Sequence, residues 1–103
     1  MANLPKIMLI SKDQALNLAD RSMDGTLMLR ENGLYLSLDS DTKKFTAIAI
    51  EEGEFFLEEF TTIELAYVYL LNQYTDANLL RTIEKLSRNK VSELMKLNET
   101  VKV

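Results

Sequence analysis

The chain contains no cysteine and no histidine. Without cysteine there is no disulfide, no zinc–thiolate site and no thiol nucleophile. Without histidine it lacks the commonest general base and transition-metal ligand, and serine-triad chemistry lacks its usual partner. Carboxylates, lysine, tyrosine and hydroxyls are what remains for catalysis. Long apolar runs are missing too. After the opening Met1-Ala2-Asn3-Leu4-Pro5-Lys6, the stretch Ile7 to Ile10 is too short for a signal-peptide core or a membrane span. No solenoid-period repeat or low-complexity segment is present. These absences set the first expectations: a cytoplasmic protein, no membrane contact, no cofactor, no metal site and no catalytic residues.

What is there suffices for one domain, spanning residues 1–103. A chain of this length buries roughly 65% of its unfolded surface, enough for a core without staples. The net charge is −4, unevenly spread: residues 1–74 carry twelve acids and six bases, residues 75–103 six bases and four acids. That gradient bears on partners, not on fold.

The stretch from Phe60 to Tyr74 organises the rest. Thr61 and Glu64 have capping-box spacing, and Phe60 and Leu65 have hydrophobic-staple spacing. Ile63, Ala66, Tyr67, Leu70, Leu71 and Tyr74 share one side of the helix. Leu65, Val68 and Tyr69 lie on the other. A helix apolar on nearly all sides is expected to be buried on nearly all sides. The second apolar side is either covered by the C-terminal helix or forms a homodimer seam or partner face. Monomer and homodimer both remain open.

Upstream, Lys6–Ile10 has strand length. Ser11 and Gln14 form a capping box for an amphipathic helix that closes at Asp24-Gly25. Asn32-Gly33, flanked by Thr26–Glu31 and Leu34–Leu38, predicts a hairpin with five leucines on one face. Asp39 to Lys43 reads as a polar turn. Lys44–Ile50 and Glu54–Phe60 predict a second hairpin around Glu52-Gly53, with Ile48 facing Leu57 and Ile50 facing Phe55. Downstream, Thr75, Asp76 and the Tyr74–Leu79 pair restart the helix grammar. One helix could then run to about Leu97, with Leu79, Leu80, Ile83, Leu86, Val91, Leu94 and Leu97 inward, unless Ser87-Arg88-Asn89 divides it. Asn98 onward reads as a frayed tail. The fold class expected is α+β. A four- to five-stranded antiparallel sheet of two hairpins is packed with an N-terminal helix, a buried central helix and a long C-terminal helix.

Two charge clusters are candidate handles. Glu51, Glu52, Glu54, Glu58 and Glu59 crowd the second hairpin with no base between them. They form either a solvated edge that resists aggregation or a contact surface for a basic partner, such as a nucleic-acid-binding groove that the chain would block. Arg81, Lys85, Arg88 and Lys96 are spaced for one helical face. They form either a solvated ridge or a weak nucleic-acid contact in an acidic chain. Leu86 to Leu94 has the outline of a helix-turn-helix, with Val91 at its core position. Its small-residue and turn-glycine positions fall on Arg81 and Lys85.

The stretch from Gly53 to Leu70, a hairpin strand ending in an aromatic that enters a capped helix, resembles an element of small phage and mobile-element proteins. Some of these are inhibitors of host machinery, including anti-CRISPR proteins. The resemblance implies a non-enzymatic inhibitor or regulator that binds a host or phage protein. It brings no site residues. The alternatives are a helix-turn-helix-like DNA-binding regulator using the basic helix, and a small enzyme working through carboxylates or lysine.

Overall fold

The computed structural model describes residues 5–71 and 79–100. In chain order these form β1 (Ile7–Leu9), α1 (Lys12–Asp24), a 3-10 turn (Leu29–Glu31), β2 (Gly33–Asp39), β3 (Lys44–Glu51), β4 (Glu54–Phe60), α2 (Ile63–Leu70), α3 (Leu79–Ser87) and α4 (Lys90–Thr100). The four strands make one sheet in the order β1-β2-β3-β4.

The class is α+β, but the sheet is mixed and not purely antiparallel: β1 runs parallel to β2, with Ile7 beside Leu34 and Leu9 beside Leu36. The cause lies in α1. Ser11 accepts from the Gln14 N–H at 3.2 Å while Gln14 returns a bond to the Ser11 N–H at 2.9 Å. The helix ends on Gly25, whose φ of 71° is the left-handed value a C-terminal glycine supplies. A strand, a helix and a returning strand place the two strands parallel.

The hairpin expected around Asn32-Gly33 does not form. Asn32 has φ −58°, outside the left-handed region a type I′ turn needs. Leu29–Glu31 instead coil into the 3-10 turn, held from three directions. The Arg21 guanidinium pairs with the Glu31 carboxylate. The Met28 N–H donates to that carboxylate at 2.8 Å, and the Tyr35 hydroxyl donates to the Glu31 carbonyl at 2.6 Å. Only Leu34, Leu36 and Leu38 of the five leucines therefore join the sheet face. Leu27 packs with the opposite core, and Leu29 is 78% exposed. The strand β2 pairs with β3 across the polar turn, Asp39 beside Lys44. In that turn Asp39 accepts from the Asp41 and Thr42 N–H groups.

The second hairpin has the expected register, with Ile48 beside Leu57 and Ile50 beside Phe55. Helices cover both faces of the central strands. On one face Leu36, Leu38, Phe45 and Ala47 pack with Ile63, Ala66, Tyr67, Leu70 and Leu71, joined by Ile83 and Leu94. On the other, Tyr35, Ile48 and Ile50 pack with Ile10, Ala15 and Leu18. Strands buried on both faces need apolar residues at successive positions, which Ala47-Ile48-Ala49-Ile50 provides.

The central helix is buried along one side, through Ile63, Ala66, Tyr67 and Leu70, while Val68 and Tyr69 are half-buried and Leu65 is exposed, so it is not enclosed on nearly all sides as its composition implies. Three further corrections apply to the helix. Its cap is Thr62, not Thr61: the Thr62 hydroxyl accepts from the Leu65 N–H at 3.3 Å. That shift moves the box position from Glu64 to Leu65 and dissolves the Phe60–Leu65 staple, because Phe60 is still held in β4 opposite Phe45. The helix closes at Leu70 with Leu71 as cap. The expectations at Asn72, Gln73, Tyr74, Thr75 and Asp76 lie outside the described residues, as does the Leu79 side chain.

The C-terminal helical arm is divided by Arg88-Asn89, where Asn89 takes φ 66°. Ile83 and Leu94 are fully inward, while Leu86 and Val91 are over a third exposed. The segment from Asn98 is not frayed at its start. Helix α4 continues to Thr100, and the Asn98 amide donates to the Leu38 carbonyl at 2.7 Å.

Candidate functional site

The turn Glu52-Gly53 places both residues at positive φ, 49° and 84°, as a two-residue type I′ turn demands. The tight turn sets Glu51 directly opposite Glu54. Two like charges facing each other across a ladder are unfavourable. Strand alternation then sorts the acidic cluster by face. Glu54 and Glu58, paired with Glu51 and Ala47, lie on the α2 side of the sheet. Glu59, paired with Thr46, lies on the α1 side. The five glutamates are all exposed but do not form one patch. Glu51, Glu52 and Glu54 gather at the turn, Glu58 lies further along β4, and Glu59 faces the other way.

The three at the turn edge a concavity of ≈ 850 Å³. Its floor is one cross-strand row, Leu34 beside Ala49 beside Phe56. Ala49 is small, so the row dips between two larger side chains. Tyr69 and Leu70, at the end of α2, form one wall, and Pro5 with Asn32-Gly33 contributes to the other. Phe60 holds Tyr69 in place: their ring centroids are 5.4 Å apart at a 47° tilt. Burial, and after it the charge of Glu58, raises the Tyr69 phenol above its ordinary pKa, so Tyr69 stays neutral.

The three α2 residues considered for a dimer seam have different settings. Tyr69 belongs to the groove wall, Val68 is half-buried against the core, and Leu65 is 50% exposed. The basic cluster is divided too. Arg81 and Lys85 lie on α3, Arg88 in the break and Lys96 on α4. All four are exposed, and none makes an ion pair among the described residues. The helix-turn-helix register is not met. Lys85, at its turn-glycine position, lies inside α3, and Val91, its core residue, is 38% exposed while Leu94 is buried.

A second concavity, between α1 and the sheet, is lined by Met8, Gln14, Asn17, Arg21, Glu31 and Tyr35 among others. Two of its three charged members, Arg21 and Glu31, are already paired with each other, and the third is Asp13 on α1. The Met28 N–H, and then Arg21, hold the Glu31 carboxyl below its usual range. Sequence reading missed this clasp because Arg21, in the last turn of α1, and Glu31, in the 3-10 turn, are ten positions apart, and no local spacing signals the pairing. It also missed the groove, whose rows come from three strands. Only the Glu52-Gly53 turn pointed towards it.

Among the described residues, no three acidic side chains are grouped to hold a metal ion, and no buried side-chain polar atom lacks a hydrogen-bond partner. No described helix is long and apolar enough to cross a membrane. The chain matches no protein-family model, and neither the characterised proteins nor the solved structures compared with it give a match.

Proposed function

We propose that the protein is a non-enzymatic binding module, an inhibitor or regulator that engages another protein through the acidic end of its sheet. One observation carries the reading. Glu51, Glu52 and Glu54 are exposed beside an apolar floor, and no lysine or arginine among the described residues pairs with them. Exposed carboxylates without counter-charges raise the rate and selectivity of encounter with a cationic surface. A carboxylate that serves as a general acid near neutral pH is instead held in a desolvated setting that raises its pKa. Exposure at the groove edge therefore favours recognition over the carboxylate-enzyme alternative.

The resemblance of residues 53–70 to phage and mobile-element proteins suggests the biological setting: a cytoplasmic host protein as target, with anti-defence inhibition as one form. A strand ending in Phe60 does enter a capped helix here. A basic nucleic-acid-binding surface on the target would suit the charge. Affinity capture from host lysate provides the test. The wild-type chain should retain a partner that the folded triple variant Glu51→Lys, Glu54→Lys, Glu58→Lys releases. Equal retention by both chains would remove the acidic end as the contact.

A further inference from the structure

The groove's own chemistry narrows what enters it. We propose that it receives an extended peptide segment of the partner protein in which an apolar side chain is flanked, two residues away, by lysine or arginine. This rests on the docking reading above and specifies its occupant. The floor row Leu34–Ala49–Phe56 is apolar, and Phe56 is 45% exposed on a strand whose outer edge pairs with nothing among the described strands. The next row on the same face is Glu51–Glu54, two residues further along each strand. Two residues of strand advance about 6.8 Å. An extended peptide has the same repeat, so residues i and i+2 on one of its faces meet the floor and the carboxylates in turn.

Charge decides among occupants. Nucleic acid presents phosphates, which three carboxylates repel. A bound metal ion would need its carboxylates grouped around one point, and no such group exists among the described residues. A small drug-like ligand is oriented by polar groups converging in an enclosed site, whereas the carboxylates here line an edge. A cationic side chain is complementary, and it would relieve the like-charge pair Glu51–Glu54.

The test titrates the ¹⁵N-labelled full chain with nine-residue synthetic peptides centred on leucine or phenylalanine. Lysine or arginine flanks the centre at ±2 in one set, serine in a second and glutamate in a third. The expected result is saturable amide shifts at Leu34, Ala49, Glu51 to Glu54 and Phe56 with the basic set only. Glu51→Gln with Glu54→Gln should weaken binding about tenfold, while Glu59→Gln, on the opposite face, leaves it unchanged. Phe56→Ser should weaken it comparably while keeping a dispersed spectrum. Equal binding of the serine set overturns the cationic requirement. Shifts confined to α3 and α4, or calcium reproducing the shift pattern, overturn the occupant. If lysine substitutions at Glu51, Glu54 and Glu58 abolish capture of the natural partner while basic peptides do not compete for it, the occupant is wrong and the docking face stands.

Discussion

Asn98 caps a helix 86 residues away: its side-chain oxygen accepts from the Lys12 N–H at 2.7 Å, in the first turn of α1. That N–H has no partner within its own helix. The same amide donates to the Leu38 carbonyl at the end of β2, so one side chain ties α4, α1 and the sheet together. Asn98→Leu leaves a donor and an acceptor unpaired and should cost about 1–3 kcal/mol. Circular-dichroism melting should show a fall of roughly 5–15 °C. Asn98→Asp retains the acceptor, and its negative charge suits a helix N-terminus, so its loss should be the smaller of the two.

Lys12 also links this corner electrostatically, reaching Asp39 at 3.2 Å and Asp41 at 3.3 Å. Hydrogen bonds to Asp39 and then Asp41 raise the Lys12 pKa. Partial desolvation pushes the Asp39 carboxyl up. The N–H groups of Asp41 and Thr42, with Lys12, outweigh it and leave the carboxyl below its ordinary value.

The Glu31 clasp predicts a pH dependence with a definite sign. The folded-state pKa lies below the ordinary glutamate value of 4.5, first through the Met28 N–H and then through Arg21. A lowered carboxyl stabilises the fold above its unfolded pKa and loses that contribution as pH falls through the folded value. Urea midpoints of the wild type should therefore drop below about pH 4.5. Glu31→Gln should start lower at pH 7 and show a shallower acid decline. Parallel curves would mean the clasp contributes nothing to folding.

The contrast between the two glycine turns shows what the sequence could and could not convey. At Glu52-Gly53 the local signal and the tertiary fold agree: both residues take positive φ, and Glu51 meets Glu54. At Asn32-Gly33 the local signal was the stronger of the two, but Arg21, Tyr35 and the returning α1 outcompeted it. Propensity is a weak prior where long-range contacts capture the same residues. The Thr62 cap shows the same limit at finer scale, since pairing of Phe60 in β4 decides where the helix begins. The groove was less legible still, because its floor depends on register among three strands and its wall on the end of α2.

Glu52 sits at φ 49°, in a region a glutamate occupies at a cost. Asparagine tolerates that conformation and is favoured ahead of glycine in type I′ turns. Glu52→Asn should therefore stabilise the hairpin by about 0.5–1 kcal/mol, read as a rise of a few degrees in melting temperature. Gly53→Ala, at φ 84°, should shift it the other way by a similar or larger amount.

Ile48 is wholly buried between Tyr35 and Leu57 in the sheet and packs with the α1-side core. Ile48→Ala removes three carbons from a space the neighbours cannot fully close, at about 2–5 kcal/mol. The midpoint in urea should fall with little change in slope. A variant of unchanged stability would mean that α1 does not seal this face.

The acidic turn makes stability and binding move in opposite directions. Glu51 faces Glu54 across the ladder, and neither pairs with a described cation. Glu54→Lys converts a repelling pair into an attracting one, so the isolated protein should melt about 1–3 °C higher. The same change places a cation where the proposed partner presents its own, and it removes one of the three carboxylates at the groove edge. Partner affinity should fall several-fold, with the loss smaller at high salt, where the wild-type attraction is screened as well. Glutamates kept only to discourage edge pairing would give the higher melting temperature and no change in affinity. A residue retained at the expense of stability and lost at the expense of binding is one whose charge serves recognition, and differential scanning calorimetry beside titration calorimetry separates the two cases.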